Sequence, residues 1–168
     1  MSELKFVPKS EFERVLQIQN APVLQCELFS TLCRINTLYM ISYAGSGHLG
    51  SSFSSLDIVA WLYLNEPCGY PIKGGEGADV FFSSKGHDVP GLYSVLIGLG
   101  LLPFQKIHAL RRLNGLPGHP DISTPHIAVN TGSLGMGISK AKGIILADRQ
   151  NQCHRHIFVM TGDGELQE

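Results

Sequence analysis

Asp163 stands between Gly162 and Gly164, directly after the apolar run Ile157-Phe158-Val159-Met160. That run reads as a buried strand, and the carboxyl ends of parallel strands are where open α/β sheets bind ligands. Aspartate is a hard oxygen ligand suited to Mg²⁺, and flanking glycines let backbone N–H groups approach a phosphate. The same residues also make an ordinary Asp-Gly turn, and alone they leave both readings open. A second cluster, Thr131-Gly132-Ser133-Leu134-Gly135-Met136-Gly137, opens the helix that leads into the strand. Its amides and the helix N-terminus form an anion site by geometry; close glycine-mediated packing is the competing reading. The spacing is neither the dinucleotide fingerprint GxGxxG nor a P-loop with its terminal Lys-Ser/Thr.

Three of the seven histidines adjoin glycine, in Ser46-Gly47-His48, Lys85-Gly86-His87 and Gly118-His119-Pro120-Asp121. Each lies in or after a loop, outside the apolar stripes. Imidazole near neutral pH donates, accepts and shuttles protons, so three of them around one pocket suit a reaction that moves protons on hydroxyls and carbonyls. His108, His126, His154 and His156 read as surface residues. The short local spacings of a three-histidine zinc site are missing. Cys26, Cys33, Cys68 and Cys153 have no CxxC spacing and no secretory context, so they read as reduced, packed thiols.

The elements that must position these groups follow from apolar periodicity. Helices are predicted over Ser10–Asn20 and Pro22–Tyr43, the second with Leu24, Leu28, Leu32, Ile35, Leu38 and Ile41 along its apolar stripe and a stop at Gly45-Ser46-Gly47. Ser54 reads as the N-cap, with Asp57 three residues on, of a helix running through Leu64. Pro67–Gly77 reads as a loop and Asp79–Ser83 as a buried strand. Helices over Pro90–Gly98 and Pro103–Leu113 follow, then a loop over Asn114–Pro125. A brief strand at Ile127–Val129, a helix over Leu134–Arg149 and the strand His156–Met160 complete the reading. Strands separated by helices without hairpin signals point to a parallel α/β sheet.

At 168 residues the chain suits a single domain. A hydrophobic fraction of 43% and mean hydropathy of +0.09 exclude a disordered protein, and no stretch approaches the roughly 20 apolar residues of a membrane helix. Thirteen Lys+Arg against 14 Asp+Glu lack the basic surplus of a nucleic-acid binder. The start, Met1-Ser2-Glu3-Leu4-Lys5, has no apolar signal region, which points to the cytoplasm. Charged residues make up 16%, under the roughly 25% of an ordinary domain, which suggests that another chain covers part of the surface.

Taken together, Ser46-Gly47-His48-Leu49-Gly50, Phe82-Ser83-Ser84-Lys85-Gly86-His87, Gly118-His119-Pro120-Asp121, Thr131–Gly137 and Gly162-Asp163-Gly164-Glu165-Leu166-Gln167-Glu168 occur in the order seen in transketolases. Over residues 24–168 the chain resembles that family, and most closely the N-terminal, pyrophosphate-binding subunits of its split members. The resemblance implies one pyrophosphate-binding domain over residues 1–168, a parallel sheet with helices on both faces that is incomplete at its C-terminus. It implies thiamine diphosphate and Mg²⁺ as cofactors, and transfer of a two-carbon ketol unit from a ketose to an aldose or related acceptor. Asp163 matches a Mg²⁺ ligand. Gly164, with Glu165 beside it, matches the cofactor-binding turn; Gly132, Ser133 and Leu134 match the segment along the cofactor. His87 matches a histidine at the diphosphate and the reaction centre. His48 and His119 match residues that hold the donor sugar's hydroxyls, and Glu168 matches a glutamate in a proton relay.

Two departures are visible: Met136 stands where many relatives carry Gln, and Asp88-Val89 where small residues are common. The family's next Mg²⁺ ligand, further strands and the pyrimidine domain with its activating glutamate have no counterpart here. A partner polypeptide is therefore expected to supply them and to complete the sheet. Alone, the chain is expected to bind cofactor weakly and to aggregate. The alternatives are a specialised two-carbon transfer in secondary metabolism and a non-catalytic subunit that keeps the fold as an interaction module.

Overall fold

A computed structural model of the chain describes residues 4–65 and 79–168. Cys68 and the loop expected over Pro67–Gly77 lie outside the described residues. Helices α1 (Lys9–Leu16), α2 (Pro22–Ala44) and α3 (Leu49–Leu64) precede strand β1 (Val80–Ser83), helix α4 (Val89–Gly98), helix α5 (Gly137–Gln150) and strand β2 (Ile157–Met160). β1 and β2 pair in parallel with Val80 opposite Ile157 and Ser83 opposite Met160, as the sequence pattern predicts. Tyr63 of α3 meets Phe81 of β1 edge-on, and α5 packs against β2.

The core centres on α4, every residue of which is buried. α2 and α3 pack on it and on each other, and Gly98 admits Phe12 so closely that a Cβ there would come within 2.6 Å of the ring. α2 starts at Pro22, and Gly45, at φ +70°, ends it. Its buried face is not the expected one. Leu24, Leu28, Ile35 and Leu38 are 40–49% exposed, while Cys26, Phe29, Ser30, Cys33, Asn36, Thr37 and Met40 face inward. Both sets have helical spacing, and the inward set is mostly small, which lets α3 and α4 approach closely. Ser94 of α4 bonds the Cys33 carbonyl at 3.0 Å.

Three further expectations are corrected. Ser54 lies inside α3 and its hydroxyl returns to the Ser51 carbonyl; the helix already begins after His48, whose extended backbone takes the N-cap position. The helix expected over Pro103–Leu113 is only a 3₁₀ segment, Phe104–His108, because Arg111 and Asn114 adopt left-handed φ values and the chain folds back to bond Arg111 N–H to the Leu116 carbonyl. Ile127–Val129 forms no strand, and Ile127 packs into the core as an irregular segment. No helix among the described residues is long and apolar enough to cross a membrane.

Candidate functional site

Because Ser83 pairs with Met160, the two strands end side by side and the turns after them are neighbours. After β1 the Ser84 N–H still bonds the Met160 carbonyl at 2.8 Å, and the chain then turns at Gly86 with φ +67°. A Cβ on Gly86 would lie 2.9 Å from the Gly132 nitrogen, so glycine is what lets the Lys85–His87 turn lie against the Thr131–Gly132 segment. Gly132, at φ +145°, in turn faces the His119 ring, and a Cβ there would stand 3.2 Å from Cδ2. His119 is thereby brought up behind the His87 turn, while the Thr131 N–H bonds the Pro120 carbonyl at 3.3 Å.

His48 arrives from the other side. Its carbonyl accepts the Ser52 N–H at 3.2 Å and the Ser52 hydroxyl at 2.8 Å; that hydroxyl also lies 3.3 Å from the Asp88 carbonyl at the start of α4. Ser52 thus ties the start of α3 to the segment carrying His87, and the two imidazoles meet with centroids 4.9 Å apart. Burial holds the His119 imidazole below its ordinary range, and the Arg111 guanidinium and the His87 and His48 rings push the same way. At neutral pH its ring is uncharged and can donate one hydrogen bond and accept another.

A cleft of about 490 Å³ opens beside these histidines and gathers His87, Leu134, Asp163, Gly164, Glu165 and Glu168 from the sequence-derived candidates. His48, His119 and Gly132 adjoin it through the His87 turn, and Ser133 is exposed on the same loop as Leu134. Glu168 lies against Gly135 of that loop, its Cβ 3.1 Å from where a Cβ on Gly135 would be. Sequence reasoning did not assign four lining residues to the site: Ser51 and Ser54, one turn apart on α3, Lys85, and Gly162 beside Asp163. Placing the start of α3 at Leu49 would have put both serines on one face of its N-terminal end. Lys85 is nearly buried, with Nζ 3.7 Å from Asp88 Oδ2. Burial pushes the Asp88 carboxyl upward, opposed by its hydrogen bond from the Ser83 hydroxyl and by Lys85.

Glu165 differs from the other acidic candidates in that its carboxylate points into the protein. Oε1 accepts the Ser84 hydroxyl and, at 3.0 Å, the Gly135 N–H; Oε2 accepts the Gly162 N–H at 3.1 Å. Asp163, in contrast, is exposed. Among the described residues no group of three His, Cys, Asp or Glu could hold a metal by itself. Mg²⁺ ordinarily takes one or two carboxylates and completes its octahedron with phosphate oxygens and water. The exposed carboxylates of Asp163 and Glu168, the Lys85 ammonium, the His87 ring and an open backbone at Gly164 therefore fit a Mg²⁺-diphosphate group, and Leu134 adds an apolar wall.

Residues 27–168, which contain every segment of this cleft, match the family described as transketolase, thiamine diphosphate binding domain. The chain belongs to the transketolase family. Among similar proteins, one of the subunits of the apulose-4-phosphate transketolase of Phocaeicola vulgatus is 35% identical over 144 residues, covering 84% of this chain and 51% of that protein. The 6-deoxy-6-sulfo-D-fructose transketolase subunit SqwG of a Clostridium species is 37% identical, covering 79% and 49% respectively. This transketolase-family chain thus spans about half the length of these curated relatives. The crystal structure of transketolase from Campylobacter jejuni superposes with a TM-score of 0.70 at 26% identity, over 92% of this chain and 24% of that one.

Proposed function

We propose that this chain forms the diphosphate-holding part of a thiamine diphosphate-dependent transferase that moves a two-carbon ketol unit from a ketose to an aldose or related acceptor. The observation that carries this reading is a cleft lined by His87, Leu134 and Asp163, with the His48 ring against His87 and the His119 ring against Gly132 beside it. Thiamine diphosphate, when bound, supplies the carbanion chemistry, and the protein supplies binding, orientation and proton transfer. Asp163 would hold Mg²⁺, and Lys85, His87 and the Gly164 backbone would meet the diphosphate. Leu134 and Ser133 would lie along the rest of the cofactor. His48 and the uncharged His119 would hydrogen-bond the donor sugar's hydroxyls, and His87 would stand between cofactor and sugar. Glu168 would take part in a proton relay at the rim.

A partner subunit supplies the activating glutamate in this reading. Two relatives are named as subunits, and each is about twice the length matched here. Apolar side chains stand exposed on α2 and on α5, among them Leu24, Leu38, Ile145 and Leu146, as a covered interface would require. Both named relatives act on sugars that carry an anionic group, which favours a sugar phosphate or similar donor. The buried free thiols of Cys26 and Cys33 suit a cytoplasmic setting. The test is co-purification with the partner identified by mass spectrometry, followed by a ketol-transfer assay on the complex. Transfer that depends on thiamine diphosphate and Mg²⁺ is expected; a complex that binds no cofactor or transfers no ketol unit would refute the proposal.

A further inference from the structure

Glu165 is one of the few acidic side chains that the fold buries, at 5% exposure, and its two oxygens engage three separate segments. Ser84 belongs to the turn after β1, Gly135 to the loop before α5, and Gly162 to the turn after β2. The Ser84 hydroxyl extends the network, since it also accepts the Gly137 N–H at 2.9 Å at the start of α5. The packing leaves little slack: Gly135 holds φ +77°, Glu168 stands against it, and a Cβ on Gly137 would collide with the Ser84 side chain. These three segments are the ones that carry His87, Leu134 and Asp163 into the cleft.

We infer that Glu165 is a positioning residue that locks the three cofactor-facing segments together, so that the cleft is preformed before a diphosphate arrives. This rests on the thiamine diphosphate reading above. A carboxylate suits the task because it accepts along two oxygens and donates nothing. Glutamine has the same shape but only one acceptor oxygen, so its amide nitrogen would face either the Gly162 N–H or the Ser84 and Gly135 donors. One part-buried donor is then left opposite another donor, and the loops part where the cofactor must be held.

The test uses the assembled enzyme with Glu165→Gln and, as a second variant, Ser84→Ala, which removes the network's other node. Thiamine diphosphate is titrated calorimetrically in the presence of Mg²⁺, and hydrogen exchange is followed at the Gly135 and Gly162 amides without cofactor. Glu165→Gln should weaken cofactor binding by about tenfold or more, the scale of one charge-assisted hydrogen bond. It should also speed exchange at both amides, while kcat at saturating cofactor stays within about twofold of wild type. Ser84→Ala should act in the same direction, and the two should combine to less than the sum of their effects. Wild-type affinity and unchanged exchange in Glu165→Gln would overturn the inference. So would a parallel loss of melting temperature and kcat at saturating cofactor in both variants. If the wild-type assembly itself bound no thiamine diphosphate, the functional reading would fall and this inference with it.

Discussion

Arg111 donates from Nη1 to the Ser46 hydroxyl at 2.8 Å, joining the loop that carries His48 to the loop that carries His119. The same guanidinium lies over Gly118, where a Cβ would come within 2.8 Å of its Nε. Next to it, Arg112 donates to the Tyr43 carbonyl at 3.0 Å and stacks on the Tyr43 ring, fastening the turn to the C-terminal end of α2. Two adjacent arginines thus do what a helix over this stretch would have prevented, because the left-handed Arg111 backbone turns the chain toward the site.

Arg111→Gln should therefore change the titration of His119. Burial is the largest cause of its lowered pKa and remains in the variant, but the first of the charge repulsions disappears. The His119 midpoint should rise toward, without reaching, the ordinary value near 6.5, so the acid limb of kcat/KM should move to higher pH. Ring-proton NMR of His119 measures the midpoint directly. An unchanged or lower midpoint would contradict the electrostatic role of Arg111.

Asp163→Asn and His119→Ala should separate cofactor binding from turnover. The first removes the exposed carboxylate offered to Mg²⁺ and should weaken Mg²⁺-dependent thiamine diphosphate binding by about tenfold or more. The second leaves that carboxylate in place and should lower kcat/KM for the sugar by about 10²-fold or more through lost orientation. Cofactor titration beside steady-state kinetics distinguishes them, and equal loss of cofactor in both variants would show the assignments to be wrong.

Gly86→Ala should pry two cofactor-facing segments apart. Alanine meets a left-handed backbone and the Gly132 nitrogen at once, a combined cost of roughly 1–3 kcal/mol. Chemical denaturation should show that loss, accompanied by weaker cofactor binding. Gly143→Ala, where a Cβ meets nothing within 4 Å inside α5, is the control and should be neutral or stabilising.

Asp57 supports the scaffold at one edge. It accepts the Ser30 hydroxyl at 2.7 Å and pairs with Arg34, linking α3 to α2. The Arg34 hydrogen bond is the main cause that holds its carboxyl below the usual range, with burial opposing it. Its contribution is complete above the unfolded pKa near 4 and disappears as pH falls through the lower folded value. The Asp57 side chain is 63% exposed, so Asp57→Asn should cost less than about 1 kcal/mol at pH 7. Urea unfolding of wild type and variant should show the gap closing under strong acid; a constant gap would point to a cause other than the charge.

The parallel strands, the run of α4 and six of the residues that line the cleft were legible in the sequence because their signals are local. An unbroken β-rich run ends at Met160, three residues before Asp163, a proline opens α4, and glycines mark Gly86 and Gly132 as sites of close backbone approach. The inward face of α2 was not legible. The helix carries apolar or small residues nearly all round, so periodicity could not tell Leu24, Leu28, Ile35 and Leu38 from Cys26, Phe29, Cys33 and Met40, and the close approach of α3 and α4 selected the smaller set. Nor could spacing reveal that Arg111 reaches Ser46, or that Glu165 turns inward while its neighbour Asp163 stays in solvent. Residue types and their order determined the family to which this chain belongs. Which carboxylates stay in solvent, and which is consumed in holding the loops, was decided only when the tertiary structure brought the Ser84, Gly135 and Gly162 donors to Glu165, because a carboxylate that packing buries must find donors where it lies.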